Sequence, residues 1–373
     1  MKARYLTTAA AAALALAGLA TAANAAGKWD GGDDLATSPL ECGMGPAAPA
    51  APMKYDGGQP TNAADKAGKE IVVVDVPKLI GIGYFNATAK GIQDAAKDIG
   101  NVKAKTDGPT EAKIDEQIKF IDNYITSGVD GILFAANDPV AIAPVLKKAL
   151  SKGIHVVGYD ANSTPDAREW FVNQSPFNGI AKSMVDAMAK ETGEDGSFAI
   201  VTSTFTTPNQ ARWIAEMQAY AAKCHPKLNW LETVEAQEDN NLSFNQATTL
   251  INKHGDKLKG IFGMTSVATP ASAEAVTKAG QCGKVAVVGL ATPNAMKPYV
   301  HSDCVKSVVL WNPIDLGYAA TYVMRAAVDG KLKPGDTSVD AGKLGKLNVI
   351  NGSEILLGAP YIFDKANIDK FDF

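Results

Sequence analysis

After Lys69 the chain settles into a rhythm that few folds can hold: short β-branched runs alternate with amphipathic helical stretches, and the alternation is played twice. The first round reads EIVVVDV, VKAK, GILFAA and IHVVGYD, with helical periodicity over 87–99, 111–127 and 140–150. The second reads SFAIVTS, NWLETVE, KGIFGM and KVAVVGL, with helices expected over 178–190, 207–222, 243–252 and 268–278. Strands that are apolar along their whole length need helices over both faces, as in parallel sheets. The expected class is therefore α/β, with two Rossmann-like, doubly wound parallel-sheet lobes. A further helix over 314–328 and the tail beyond Lys331 have to cross back between the units, and several crossovers make a hinge on which two lobes can close. The expected division is 69–175 with 312–345 in an N-terminal lobe and 176–311 with 346–373 in a C-terminal lobe. Residues 26–68, rich in Gly, Pro, Ala and Asp without either period, read as an extended low-complexity arm.

The N-terminus bears on compartment. Lys2 and Arg4 precede an apolar stretch from Leu6 to Ala20, and Ala23-Asn24-Ala25 follows, so 1–25 reads as a signal peptide with the mature chain starting at Ala26. The apolar run falls short of the ~20 residues that span a bilayer. No cysteine follows the cut to carry a lipid, which makes a soluble protein of a bacterial periplasm the expectation. Of 373 residues 348 then remain, more than one core usually organises. The net charge of −4, with no basic block after the leader, argues against nucleic acid as a partner.

Cys42, Cys224, Cys282 and Cys304 would lie in an oxidising compartment, where three pairings are open. Cys282 and Cys304 each stand just before a strand-like run, KVAVVGL and VKSVVLW. If those strands are parallel neighbours their starts lie side by side, so this pair is the expected disulfide. Pairing of Cys42 with Cys224, and the role of the arm, stay open. No pair has the short Cys-x-x-Cys spacing of zinc sites, and no metal is expected.

Two doubly wound sheets in tandem turn the carboxyl ends of their strands toward a shared crevice. The residues there are polar and aromatic: Lys78, Tyr84, Phe85, Asn137, Asp138, Asp160 and Asn162 in the first unit. Asn209, Gln210, Met264, Thr265, Ser266, Thr292, Asn294, Trp311 and Asn312 are their counterparts in the second. Planar amides and carboxylates that bond in pairs, with rings to cover C–H faces, suit a carbohydrate. Structural readings compete. Asn137-Asp138-Pro139 is equally a turn and helix cap, Tyr84 and Phe85 are equally core, and Trp311-Asn312-Pro313 could stop a strand. Lys78 would donate to ligand hydroxyls, pair with Asp160, or both. Asp160 ends an otherwise apolar strand, and Asp160→Ala is expected to abolish binding with little change in melting temperature.

Catalysis finds no support. His155, His225, His254 and His301 fall at strand starts or helix ends, away from the crevice. There is no Gly-x-Ser-x-Gly elbow and no P-loop, and in the dinucleotide-like GIG of 81–83 Asn86 takes the third glycine position. Neither enzyme activity nor a cofactor is expected.

From Lys69 to about Val328 the chain resembles the ribose-type (type I) periplasmic binding proteins. PKLIGIGYF, DGPTEAKIDEQI, GYDANSTPDAR and GLATPNAMKPYV are similar to the autoinducer-2-binding branch. WNPIDLGYAATY, AANDP and NQARWIAEM look more like the rhamnose-binding branch. The resemblance implies two lobes, a closing hinge, an ABC permease as partner and a monomeric receptor for a small neutral sugar or polyol. Lys78, Asp160 and Gln210 match the autoinducer-2 pocket, whereas Asn162 and Asn209 replace acids and Met264 and Ser266 replace a Pro and an Ala. A neutral, rhamnose-like sugar therefore moves ahead, with autoinducer-2, or a sugar alcohol feeding transport or chemotaxis, as alternatives.

Overall fold

In a computed structural model, Cys42 and residues 54–373 are described. Segment 1–25, the expected leader, and most of the arm lie outside the described residues.

The first round of alternation folds into β1 (Ile71–Val76), β2 (Val102–Thr106), β3 (Gly131–Phe134), β4 (His155–Tyr159) and β5 (Trp170–Asn173). They lie parallel in the order β2-β1-β3-β4-β5. Helices α1 (Gly83–Ile99), α2 (Ile114–Ser127) and α3 (Ala143–Ser151) connect the first four strands. Buried strand residues feed apolar clusters on both sides of this sheet, Ile71, Val73 and Val157 on one and Val74, Val76 and Val156 on the other. Gly100 and Gly128 end α1 and α2 in the left-handed region, φ 83° and 74°, where a glycine carries no Cβ penalty.

The second lobe takes α4 (Phe177–Thr192), β6 (Ser197–Thr202), α5 (Pro208–Cys224), β7 (Asn229–Glu235), α6 (Asn240–His254), β8 (Leu258–Gly263), α7 (Ala268–Lys278) and β9 (Ala286–Gly289). Its strands are parallel in the order β7-β6-β8-β9. After α8 (Pro293–His301), β10 (Ser307–Leu310) lies beside β9 through a parallel bridge between Leu290 and Val309.

Helix α9 (Pro313–Val328) returns to the first lobe and packs on α1 at backbone distance. A Cβ on Gly91 would sit 1.8 Å from the Ile314 carbonyl oxygen, and one on Gly317 would sit 2.1 Å from that of Thr88. The two glycines thus allow the approach. Strands β11 (Ser338–Asp340), β12 (Lys346–Ile350) and β13 (Glu354–Leu356) follow, with β13 parallel to β5, so that the first sheet has eight strands. Finally β14 (Tyr361–Asp364) pairs antiparallel with β10 in the second lobe. Between 69 and 373 the chain thus passes between the lobes at 174–176, 311–312 and 357–360.

This changes the expected division. The stretch from 346 to 356, assigned from sequence to the C-terminal lobe, belongs to the first sheet, because β5 leaves an open edge whose backbone groups β13 satisfies. Strand β5 and helix α8 were themselves not expected. Helix α1 begins at Gly83 rather than 87, which places Tyr84 and Phe85 in its first turn.

Cys282 is bonded to Cys304 and Cys42 to Cys224, with Cα separations of 4.7 and 5.5 Å. The first pair follows from β9 and β10 being parallel neighbours. The second ties the arm to the end of α5 in the second lobe. From residue 54 the arm lies on the first lobe: Tyr55 meets Trp170 edge to face at 5.1 Å, and the amides of Gly58 and Thr61 donate to the carbonyls of Arg168 and Leu150, both at 2.8 Å.

Candidate functional site

The carboxyl ends of both sheets face one another across a small cavity. From the first lobe come Lys78, Ile82, Tyr84, Phe85 and Asp160. Lys78 follows β1 after Pro77, and Asp160 follows β4 directly. Both are 3% exposed, and the Lys78 ammonium lies 3.1 Å from Asp160 Oδ2. Tyr84 donates its hydroxyl proton to Asp160 Oδ1 at 2.9 Å and accepts from the Trp311 indole Nε1 at 2.9 Å. Burial first, and the Asp160 charge second, push the Tyr84 phenol well above its ordinary range, so it stays a donor.

The backbone of Asp160 is strained, with φ +60°. Non-glycine residues in this region cost about 1–3 kcal/mol where the surroundings hold them, and they cluster at ligand clamps. The consequence is geometric, since the reversal after Tyr159 brings the carboxylate back over β1 to Lys78.

From the second lobe come Asn209, Gln210, Trp213, Glu238, Thr265 and the aromatic Trp311. Asn209 and Gln210 open α5 after Pro208, and Trp213 lies one turn further on the same face. Gln210 is fixed by the Thr202 hydroxyl at 2.6 Å and the Ser203 amide at 2.8 Å, both donating to Oε1. Its Nε2 is thereby turned outward, toward Glu238 Oε1 at 3.3 Å. Met264, Ser266, Leu290 and Leu310 complete the wall. The lobes touch across the cavity: Lys78 donates to Asn209 Oδ1, and Asn209 Nδ2 donates to the Asp160 carbonyl, each at 3.4 Å. Trp311 stacks at a tilt on Trp213, centroids 5.7 Å apart, and meets Tyr84 edge-on at 6.0 Å.

Of the sixteen residues expected at the crevice, Lys78, Tyr84, Phe85, Asp160, Asn209, Gln210, Met264, Thr265, Ser266 and Trp311 line this cavity. Six do not. Thr292 precedes α8, and Asn294 donates to Asp372 at 3.0 Å. Asp138 caps the turn before α3, its Oδ1 accepting from the amides of Val140 and Ala141 at 2.9 and 2.8 Å. Asn312 caps α9 through the amides of Ile314 and Asp315. Asn162 accepts from Arg168 Nε at 3.0 Å. Asn137 donates to the Lys78 carbonyl at 2.8 Å and to Gln117 at 3.2 Å, and Gln117 in turn donates to the carbonyls of Val76, Pro77 and Ala135. These polar groups hold the strand ends in place from behind.

Glu238, Trp213, Ile82, Leu290 and Leu310 line the cavity without having been singled out. The strand-end rule applied after NWLETVE would have reached Glu238, and the helical repeat from Asn209 would have reached Trp213. Two lobes whose strand ends close on one small, polar, ring-lined cavity define a receptor for a small solute. The chain belongs to the periplasmic binding protein domain family, whose model matches residues 73–332.

The chain is 31% identical to a sugar ABC transporter structure from Actinomyces odontolyticus, over 84% of this chain and 100% of that one, with a TM-score of 0.67. It is 29% identical to an ABC transporter solute-binding protein from Clostridium phytofermentas solved with L-rhamnose, over 81% of this chain and 98% of that one, TM-score 0.76. A D-ribose/D-allose-binding protein of Pseudomonas aeruginosa shares 30% identity over 50% of this chain, and the match spans only 60% of that relative's length.

Proposed function

We propose that this chain is the periplasmic solute-binding component of an ABC importer, and that as a monomer it clamps one neutral, rhamnose-like sugar or polyol between its lobes. The observation that carries the reading is the make-up of one cavity drawn from both lobes: an ammonium, two amides and two carboxyl groups beside the rings of Phe85, Trp213 and Trp311. Trp213 is 2% exposed, and among the described residues its indole N–H has no partner. An unpaired buried donor costs about 1–3 kcal/mol, which a ligand oxygen would recover.

Support for a rhamnose-like ligand over autoinducer-2 narrows to Asn209, Met264 and Ser266, since Asn162 sits outside the cavity and bonds Arg168. The L-rhamnose-bound relative is consistent with it. Trp213 and Trp311 provide the assay. Their fluorescence should respond saturably to L-rhamnose or a close neutral sugar at micromolar concentration. A panel of deoxyhexoses, pentoses, polyols and autoinducer-2 that gave no response, or a response to autoinducer-2 alone, would sink the reading. Loss of labelled-sugar uptake on deletion of the gene separates transport from chemosensing.

A further inference from the structure

We propose that Glu238 is a specificity-determining residue of the interlobe cavity, reading an oxygen of the ligand from the second lobe as an uncharged, proton-donating carboxylic acid. The inference rests on the receptor reading above and deepens it.

Position comes first. Glu238 follows β7 in a turn where two successive non-glycine residues, Gln237 and Glu238, have φ of +51° and +56°. The turn is held to the end of β6: Ala236 N donates to the Thr202 carbonyl at 2.8 Å and Gln237 N to that of Ser203 at 2.9 Å. Strain held in this way aims the side chain into the cavity rather than along the surface, and Glu238 is 9% exposed.

Partners come second. The carboxyl accepts from Gln210 Nε2 at 3.3 Å and bonds Thr265, both neutral. The charged groups that face it are Lys78 and Asp160. Lys78 is committed to Asp160 at 3.1 Å and to Asn209 at 3.4 Å. Lys78 favours an ionised Glu238 and Asp160 opposes it, but the ammonium is already shared with Asp160 and Asn209, and the burial of a second carboxylate remains the largest influence on the group. A neutral acid avoids that cost, and burial pushes the Glu238 carboxyl up accordingly.

Chemistry comes third. A neutral acid offers one O–H donor and a carbonyl acceptor, a match for a hydroxyl or ring oxygen. An anionic sugar would meet Asp160 and an acid that cannot ionise cheaply, so uronic acids and sugar phosphates are excluded. A cationic amino sugar would instead draw Glu238 into its ionised form.

The test uses the whole mature protein, with L-rhamnose, the matching uronic acid and the matching amino sugar as probes, from pH 5.5 to 9. For the wild type, Kd for the neutral sugar should climb toward tenfold per pH unit once Glu238 ionises. Glu238→Gln, which keeps a donor and an acceptor but cannot ionise, should bind more tightly than wild type at pH 9 and lose that pH dependence. Glu238→Ala should bind at least tenfold more weakly than Glu238→Gln throughout. An unchanged pH profile in Glu238→Gln, or tighter binding of the amino sugar than of the neutral sugar, overturns the proposal. Melting curves of the unliganded protein give a readout that needs no sugar. The wild type should lose stability relative to Glu238→Gln as pH rises, and coincident curves would refute the neutral acid even if no probe binds and the receptor reading has failed.

Discussion

Replacing Asp160 by Ala removes three things at once, and the structure ranks them. The first is the charge that faces Lys78 across 3.1 Å with both side chains 4% exposed. Taking one partner from a buried pair strands the other and costs about 3–5 kcal/mol. The second is the acceptor for the Tyr84 hydroxyl at 2.9 Å, which leaves the Tyr84–Trp311 pair unanchored. The third is local: at φ +60°, Asp tolerates the left-handed region better than Ala, a difference of about 1 kcal/mol. These terms share atoms and do not add, so the ion pair sets the scale. At about 2–4 °C per kcal/mol for a domain of this size, the melting temperature of the unliganded protein should fall by on the order of 10 °C. That exceeds the sequence-based expectation of little change in melting temperature, which treated Asp160 as a cleft residue outside the core. Calorimetry of wild type, Asp160→Ala and the double variant Lys78→Met/Asp160→Ala gives the measurement. The double variant should recover part of the loss, because it no longer buries an unpaired ammonium. A single variant melting within 2 °C of wild type, or a double variant less stable than the single, refutes the reasoning.

A buried acid near the end of β1 makes a separate prediction: burial raises the Asp75 carboxyl to about 7, although Tyr159 and Thr106 both donate to it at 2.9 Å. Its folded value exceeds the unfolded one near 4, so its contribution is complete below pH 4 and is lost as pH rises to about 7, up to about 4 kcal/mol. Urea unfolding at pH 5 and pH 8 should show the difference, Asp75→Asn should reduce it, and equal pH dependence in the two proteins would exclude the assignment. Reduction of Cys282–Cys304, a 22-residue separation, should cost about 3 kcal/mol, and that of Cys42–Cys224, at 182, about 5. Non-reduced peptide mapping with calorimetry of Cys→Ser pairs checks both, and a reversed order of cost would refute the chain-entropy account.

The sequence alone determined the class of fold and the direction in which to look. Whole-length apolar runs such as IVVVDV and AVVG are stable only between two layers of helix, and in paired doubly wound sheets the strand ends must face a common crevice. That was enough to reach Lys78, Asp160, Asn209, Gln210 and Trp311. Short elements stayed hidden: β5 has four residues, and β11 and β13 have three each, too few for a period to register. Their place depends on which edge of the first sheet stands open, and only the assembled sheet decides that. The same holds within the site. Asp138 and Asp160 both follow a strand, and Asn209 and Asn312 both border a helix start, yet two of these residues cap backbone and two face the cavity. A side chain's direction is set by backbone torsions such as the +60° at Asp160 and by whether the opposite lobe comes within hydrogen-bonding reach, and both are properties of the folded chain.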